Sequence, residues 1–282
     1  MTIDRLSPRS TLGSLILAGG ILFANPSTGS QVMTYRSCMH QVGANPVVGY
    51  EAALRWHESD GGPAAMHCMA LALSGQGEYA QAAQTLEDAA RLMESRAGGG
   101  KQVPELLGQA GNAWLLAGDG ARAFDVFDEA LQSRSLSTGI RVELLVDRSR
   151  SHAAQRDYAM VIGDLNNAMN LVGSRSDMLA YRASAYRHLG QIERAQEDIE
   201  QALKLWPDNP DALYERGNLK FALGDNEDAH GDWNRVIALA PQSAAAVSAA
   251  RNLAELDAAV KRGGTTPQEP AGLSPAVETS VE

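Results

Sequence analysis

The sequence predicts an all-α fold built from tandem helix-turn-helix repeats, and two observations predict it. The first is a 34-residue pattern that is written twice between Ser176 and Ser243. Similar residues recur at this interval in the pairs Ala183 and Gly217, Gly190 and Gly224, Ala195 and Ala229, Ile199 and Trp233, Ala202 and Val236, and Pro207 and Pro241. The second is a composition with only 5% aromatic residues but 27 glycines, which suits close helix packing. A fixed period of this size is typical of an α-solenoid.

The same period, carried back along the chain, predicts five repeats whose positions we number 1 to 34. They span 63–96, 104–137, 142–175, 176–209 and 210–243. Position 8 holds a small residue in each: Ala70, Gly111, Ser149, Ala183 and Gly217. Position 24 holds a bulky one: Leu86, Phe127, Leu165, Ile199 and Trp233. We expect the small residues to let paired helices approach each other and the bulky residues to fill the space between neighbouring repeats.

Position 15 is expected in the turn between the two helices of a repeat. Four repeats have glycine there, namely Gly77, Gly118, Gly190 and Gly224. Glycine adopts the positive φ that such turns often need. The third repeat has Arg156 instead, so we expect its turn to be the weakest of the five.

The spacing of small, bulky, small and proline positions resembles the tetratricopeptide repeat, and the resemblance covers 63–243, about two-thirds of the chain. It implies a right-handed α-solenoid whose first helices line a concave groove. It also implies an interaction scaffold without catalytic activity, which binds a protein or peptide partner in that groove. The nature of the partner is not specified by the resemblance, because the family serves many processes.

The resemblance assigns groove-facing side chains to positions 2, 5, 6, 9 and 12. The candidate partner-binding residues are Glu105, Asn112, Glu143, Asp147, Arg150, Asp177, Tyr181, Ser184, Asp211, Tyr214 and Asn218. Position 2 is acidic in four successive repeats, which favours a basic partner segment. The alternative is that these carboxylates only stabilise the first turn of each helix through its dipole. Some family members grip a partner's C-terminal carboxylate with a Lys/Asn/Arg clamp, and the acidic residues here would repel such a group.

Charged residues recur at two further places. Arg148, Arg182 and Arg216 share position 7 and are expected either to form a ladder that binds anions or to pair with acidic neighbours. Four carboxylates are expected on solvated helix faces: Asp128, Glu129, Asp198 and Asp232.

The two ends of the chain differ from the repeats. Residues 1–24 carry Arg5 and Arg9 ahead of a 13-residue apolar stretch, Leu12 to Ala24, which is typical of a secretory signal peptide. We therefore expect a periplasmic or secreted protein, with an uncleaved N-terminal anchor as the alternative. No transmembrane segment is expected in the mature chain. Residues 263–282 hold three prolines and no Lys or Arg, and are predicted to be a disordered tail.

Two helical segments flank the repeats. The N-terminal segment, 25–62, is predicted to be a partial helical repeat with a helix from Pro46 to Trp56 and a break at 59–62. Residues 244–262 are predicted to form the capping helix that a solenoid needs at its end. The predicted apolar side chains are Val47, Tyr50, Leu54 and Trp56 in the first helix, and Val247, Leu253, Leu256 and Val260 in the second.

The only two cysteines are Cys38 and Cys68. In an exported protein an even pair predicts a disulfide, which would attach the weakly patterned N-terminal segment to the first repeat. Alternatives are free core thiols or a soft-metal site with the neighbouring Met39, His40 and His67.

The formal net charge of −10 and the lack of a basic run argue against nucleic-acid binding. No P-loop, GxSxG, HExxH or GxGxxG motif occurs in the sequence, and no cofactor is expected. The sequence therefore predicts an exported scaffold or adaptor. The alternatives are a structural component of an envelope or secretion assembly, and a metal-binding protein. Its oligomeric state is left open.

Overall fold

A computed structural model describes residues 33–96, 99–133 and 136–261. Their α-helices are α1 (Tyr35–Ala44), α2 (Pro46–Trp56), α3 (Gly62–Gly75), α4 (Tyr79–Glu94), α5 (Val103–Leu116), α6 (Gly120–Leu131), α7 (Thr138–Ala154), α8 (Tyr158–Val172), α9 (Ser176–His188), α10 (Ile192–Leu205), α11 (Pro210–Ala222), α12 (Asn226–Leu239) and α13 (Ala244–Lys261). The described residues contain no β-strand, which confirms the all-α prediction. The predicted signal peptide and the predicted tail lie outside them, as does Arg262 at the end of the predicted capping helix.

The chain divides into two compact units, and the boundary falls between Asp157 and Tyr158. The first unit contains α1 to α7 and the second contains α8 to α13. The third predicted repeat, 142–175, is therefore divided between them.

Within each unit the helices pack as successive antiparallel neighbours along the chain. In the first unit α3 packs on α4 and α5 on α6; in the second, α9 packs on α10 and α11 on α12. We call the leading helix of each pair its first helix. First helices also touch the next first helix, as α5 touches α7 and α9 touches α11. A side chain fixes the start of α11. Asn209 accepts hydrogen bonds from the backbone N–H groups of Asp211 and Ala212, which satisfies amides that a helix start leaves without partners.

The predicted small and bulky positions meet inside the repeat. A Cβ built on Gly111 would lie 2.5 Å from the Phe127 ring, and one on Gly217 would lie 2.6 Å from the Trp233 indole. Both aromatic residues are almost completely buried. The bulky residue, which we expected to fill the space between repeats, thus also closes its own helix pair.

The turn at position 15 is left-handed in all five repeats. The φ angle is 83° at Gly77 and 70° at Gly190, and it is 62° at Arg156. Arg156 therefore adopts a conformation that residues with a Cβ rarely occupy.

The helices that flank the repeats bury small residues, and of the larger residues that the sequence suggested, Leu256 is buried and Leu253 packs against the same core. In α13 the buried residues include Ala245, Ala246 and Ala249, whereas Val247 and Val260 are exposed. In α2 the exposed residues include Val47 and Leu54. Our assignment of the apolar side was wrong at these four valine and leucine positions, because alanine lets a helix backbone come closer to its neighbour.

The N-terminal helix pair is joined covalently to the first predicted repeat. Cys38 of α1 and Cys68 of α3 form a disulfide with a Cα–Cα distance of 6.4 Å, the pairing that the sequence favoured. Both cysteines are completely buried and pack with Ala53 of α2. The break before α3 contains Asp60 at a φ of 71°.

Candidate partner-binding face

The eleven predicted groove residues all lie on first helices, and all are half-buried. We call these side chains the first-helix face. In the first unit they are Glu105 and Asn112 on α5, and Glu143, Asp147 and Arg150 on α7. In the second unit they are Asp177, Tyr181 and Ser184 on α9, and Asp211, Tyr214 and Asn218 on α11.

In the first unit, part of this face is a hydrogen-bonded joint between α5 and α7. The Asn112 side-chain amide donates to Asp147 at 2.7 Å. Arg150 donates to Asn112 at 3.1 Å and to Asp147 at 3.3 Å. Burial raises the pKa of Asp147, and Arg150 and Asn112 oppose that rise. These three side chains therefore bind one another, and their hydrogen bonds hold α5 and α7 in register.

The second unit repeats this arrangement between α9 and α11. Ser184 and Arg187 both donate to Glu215, each at 3.1 Å. Burial by itself would lower the pKa of Arg187, but Glu215, with smaller contributions from Tyr214 and Tyr158, more than offsets burial and the pKa is raised. Arg187 stands at position 12 and was not among our predicted residues. An acidic residue at position 6 of the next repeat is the signal that could have identified it.

The joint continues from α11 to α13. The carbonyl oxygen of the Asn218 side chain accepts from the Trp233 indole N–H at 3.2 Å and from the Asn252 amide at 3.0 Å. Trp233, which fills the interior of the α11–α12 pair, thus also orients Asn218 of the first-helix face.

Position 6 is the common element of these joints. At four joints within a unit, the residue at position 6 contacts the preceding first helix. Cys68 is bonded to Cys38, Gln109 accepts from His67, Asp147 accepts from Asn112, and Glu215 accepts from Ser184. The disulfide therefore links α1 to α3 at the position through which hydrogen bonds link the other first helices. The side chains at position 6 thus link successive first helices, and their assignment to a groove stays a prediction.

The acidic residues at position 2 lie one turn or more closer to the helix starts than those at position 6. Asp177 is paired with Arg175, whose Nη2 lies 2.5 Å from the carboxylate. The side chain of Asp177 is 33% exposed, and that of Arg175 is 39% exposed. Acidic residues at both positions are therefore paired with arginines: Asp177 at position 2 with Arg175, and Asp147 and Glu215 at position 6 with Arg150 and Arg187.

Comparisons with known proteins agree with this architecture. Residues 182–246 match the family model described as Tetratricopeptide repeat. These residues of the chain are tetratricopeptide repeats (TPRs).

Solved structures resemble this TPR chain at low sequence identity. A thermophilic TPR protein of Thermus thermophilus is 17% identical, with 70% of this chain and 99% of that chain covered and a TM-score of 0.51. The C-terminal part of a TPR repeat-containing protein from Cytophaga hutchinsonii is 14% identical, with coverages of 76% and 85% and a TM-score of 0.53. A chain of the APC/C hetero-tetramer Cut9–Hcn1 is 16% identical, with coverages of 78% and 40% and a TM-score of 0.55. These similarities show the fold. No curated protein matches the chain.

Arginines at position 7 of the TPR pairs form ion pairs. Arg182 binds Asp198 through two hydrogen bonds of 2.7 Å, and Arg216 binds Asp232 through bonds of 2.8 and 2.5 Å. Arg148 binds Asp128 at 2.6 Å. Pairing with acidic neighbours, one of the two alternatives for these arginines, is therefore what the structure shows. The expectation that Asp198 and Asp232 are solvated was wrong: both are buried, since an arginine from the facing helix covers each.

His67, next to the disulfide, links three helices of the first unit. The Tyr35 hydroxyl donates to its Nδ1 at 2.8 Å, and its Nε2–H donates to Gln109 at 2.7 Å. Burial lowers the pKa of His67, with partial compensation from Gln109, and burial raises the pKa of Tyr35 to about 12. Both ring nitrogens are thus engaged. Among the described residues no group of three His, Cys, Asp or Glu side chains is placed to hold a metal ion.

None of the described helices is long and apolar enough to span a membrane.

Proposed function

We propose that this TPR protein is an exported scaffold or adaptor that binds a protein or peptide partner on its first-helix face and does not catalyse a reaction. The observation that carries the proposal is the set of half-buried polar and aromatic side chains on the first helices of each unit, where joints at position 6 hold neighbouring first helices in register. Repeat arrays bind their partners through such extended surfaces. Side chains that are already ordered lose little entropy on binding.

The proposed partner segment is basic or polar. The candidate residues include five carboxylates, those of Glu105, Glu143, Asp147, Asp177 and Asp211, and this acidic composition favours a basic segment. A partner's C-terminal carboxylate would meet these acidic groups without a basic clamp to hold it, so we do not propose that mode of binding.

Export is supported by the disulfide. Disulfides persist in oxidising compartments such as the periplasm or the extracellular space. The Cys38–Cys68 bond joins two completely buried residues. We propose a periplasmic or secreted location on this basis, together with the signal-like sequence of residues 1–24.

A second candidate function is a structural part of an envelope or secretion assembly, and a separate surface favours it. Leu171, Leu205 and Leu239 all stand at position 30, at the ends of α8, α10 and α12, and each is roughly half-exposed. Trp206, beside Leu205, is 52% exposed. Contiguous exposed apolar side chains mark contact surfaces, as the adjacent Leu205 and Trp206 do here, and an assembly component would use this edge as well as the first-helix face.

Site-specific photocrosslinking in the cells that export the protein tests the proposed function. A photoreactive residue in place of Tyr214 samples the first-helix face, and one in place of the exposed His230 of α12 is the matched control. We expect a protein crosslinked at position 214 but not at position 230. Charge reversal by Asp177→Lys and Asp211→Lys should abolish that crosslink. Identical products at both positions, or none at position 214, would contradict the proposal.

A further inference from the structure

Methionine side chains surround the disulfide that joins α1 to α3. Met39 directly follows Cys38 on α1, and Met69 directly follows Cys68 on α3. Both methionines pack against the small buried core that the two cysteines form with an alanine of α2, and so does Met33, which lies just before α1. We call Met39 and Met69 the flanking methionines, because they place a thioether beside the disulfide on each of the two helices.

The flanking methionines also have an unusual degree of burial. Among the described residues, the half-buried methionines are Met33, Met39, Met66 and Met69, all on or beside α1 and α3. The other described methionines are Met93, Met169 and Met178, which are buried, and Met160, which is 47% exposed. An oxidant in solution can reach a half-buried sulfur, and a polar group added there still lies against the core. A buried methionine lacks the first property, and the exposed one lacks the second.

The cysteines are not the sulfur atoms that an oxidant would modify here. Cys38 and Cys68 are already joined in the disulfide and are completely buried, and the sequence contains no other cysteine. Methionine is oxidised to a sulfoxide, which turns a flexible apolar side chain into a polar one and disrupts the core against which it packs. Oxidation near the disulfide therefore falls on the methionines.

Met33 is better placed than the flanking methionines to tolerate oxidation. The Ser37 hydroxyl lies 3.1 Å from Met33 Sδ and 2.9 Å from the carbonyl oxygen of Thr34. A hydroxyl rotates to suit its acceptor, and a thioether is only a weak acceptor, so this hydroxyl can turn to bind a sulfoxide oxygen on Met33. The flanking methionines lie against apolar side chains instead, and their sulfoxides are the disruptive ones.

We infer that Met39 and Met69 form a redox-sensitive modification site that sets how tightly α1 is held against α3. With hydrogen peroxide, a sulfur lone pair attacks one peroxide oxygen, a sulfur–oxygen bond forms, the oxygen–oxygen bond breaks, and water leaves. The sulfur is oxidised by two electrons and the peroxide is reduced. The sulfoxides loosen the contact of α1 with α3 while the disulfide keeps the helices attached, and reductases that act on methionine sulfoxide restore it.

The rate at which a reductant reaches the disulfide tests this inference. The full chain is treated with hydrogen peroxide, the peroxide is removed, and release of the two thiols by dithiothreitol is followed with a thiol-reactive dye under native conditions. Because both cysteines are completely buried, reduction requires the contact between α1 and α3 to open. We expect peptide mass spectrometry to find sulfoxides at Met39 and Met69, and reduction to be at least about fivefold faster than in the untreated chain.

Two leucine variants separate this site from oxidation elsewhere in the chain. The double variant Met39→Leu and Met69→Leu conserves apolar volume, a change that cores tolerate, and leaves no thioether beside the disulfide. Peroxide should therefore not alter its rate of disulfide reduction. The variant Met160→Leu removes the exposed methionine of α8 and should respond to peroxide as the native chain does.

Four results would each overturn the inference. They are oxidation of Met160 while Met39 and Met69 stay unmodified, an unchanged reduction rate once both carry sulfoxides, equal acceleration in the double leucine variant, and a rate that stays high after treatment with reductases for both sulfoxide epimers. A return to the starting rate after that treatment would support a reversible site.

Discussion

The indole of Trp233 lies against the backbone of Gly217, so that a Cβ on this glycine would be 2.6 Å from the indole nitrogen. We expect Gly217→Ala to destabilise the second unit by about 1–3 kcal/mol, the usual cost of overpacking a core. This cost outweighs the gain of about 1 kcal/mol in helix propensity. Denaturant unfolding followed by circular dichroism would measure the change.

Gly231 provides the control for that substitution. It lies in the interior of α12, and a Cβ there would meet nothing within 4 Å. Gly231→Ala should therefore stabilise the chain by about 0.5–1 kcal/mol through helix propensity alone. If the two variants had the same stability, the packing of Trp233 on Gly217 would not limit residue size at position 8.

The turn at Arg156 should be improved by glycine. A left-handed backbone costs a residue with a Cβ about 1–2 kcal/mol, and part of the gain from glycine is offset because glycine has more freedom in the unfolded chain. We expect Arg156→Gly to stabilise the protein by about 0.5–1 kcal/mol and Gly190→Ala, its converse in the fourth repeat, to destabilise it. Thermal or denaturant unfolding would measure both. If Arg156→Gly instead destabilised the protein, the side chain of Arg156 would contribute more than its left-handed backbone costs.

The repeat period made the helix order and the first-helix face predictable from the sequence. Position 8 and position 24 recur because each helix pair needs a small residue facing a large one, as Gly111 faces Phe127. A side chain's register identifies the helix face on which it lies, and for this reason the eleven predicted residues all lie on first helices and are all half-buried.

The partners of those side chains were less predictable. Register does not say which atoms come within hydrogen-bonding distance across two helices, so the contact of Arg187 with Glu215 was missed. Asp198 was assigned to solvent because it follows the polar pattern of its own helix, whereas Arg182 of the facing helix covers it. Helix periodicity describes one helix at a time, and these contacts depend on two.

Loss of the disulfide should loosen α1 more than any other described helix of the first unit. Cys38 is the one residue of α1 that is fully buried, and the loop closed by the bond is 30 residues long. Replacement of both cysteines by alanine should cost about 3–4 kcal/mol in chain entropy. Hydrogen exchange should show faster exchange in α1, with α5 and α6 as internal references. Unchanged protection in α1 would mean that its other contacts are enough to hold it.

The buried His67 should make stability depend on pH. In the unfolded chain its pKa is about 6.5, and in the fold burial lowers that pKa. Below about pH 6.5 the unfolded chain therefore binds a proton that the folded chain does not, and the free energy of unfolding falls as the pH falls. The loss begins near pH 6.5 and ends once the pH is below the folded pKa. Above that range this histidine is neutral in both states and contributes no slope.

His67→Gln isolates this effect because the other histidines are common to both proteins. Glutamine does not titrate, so the stability of the native chain relative to the variant should decrease from about pH 7.5 to about pH 5.5. The slope has an upper limit of about 1.4 kcal/mol per pH unit for one proton. Urea unfolding at several pH values would measure it. Parallel curves for the two proteins would show that the hydrogen bonds of His67 to Tyr35 and Gln109 also accommodate the charged imidazolium.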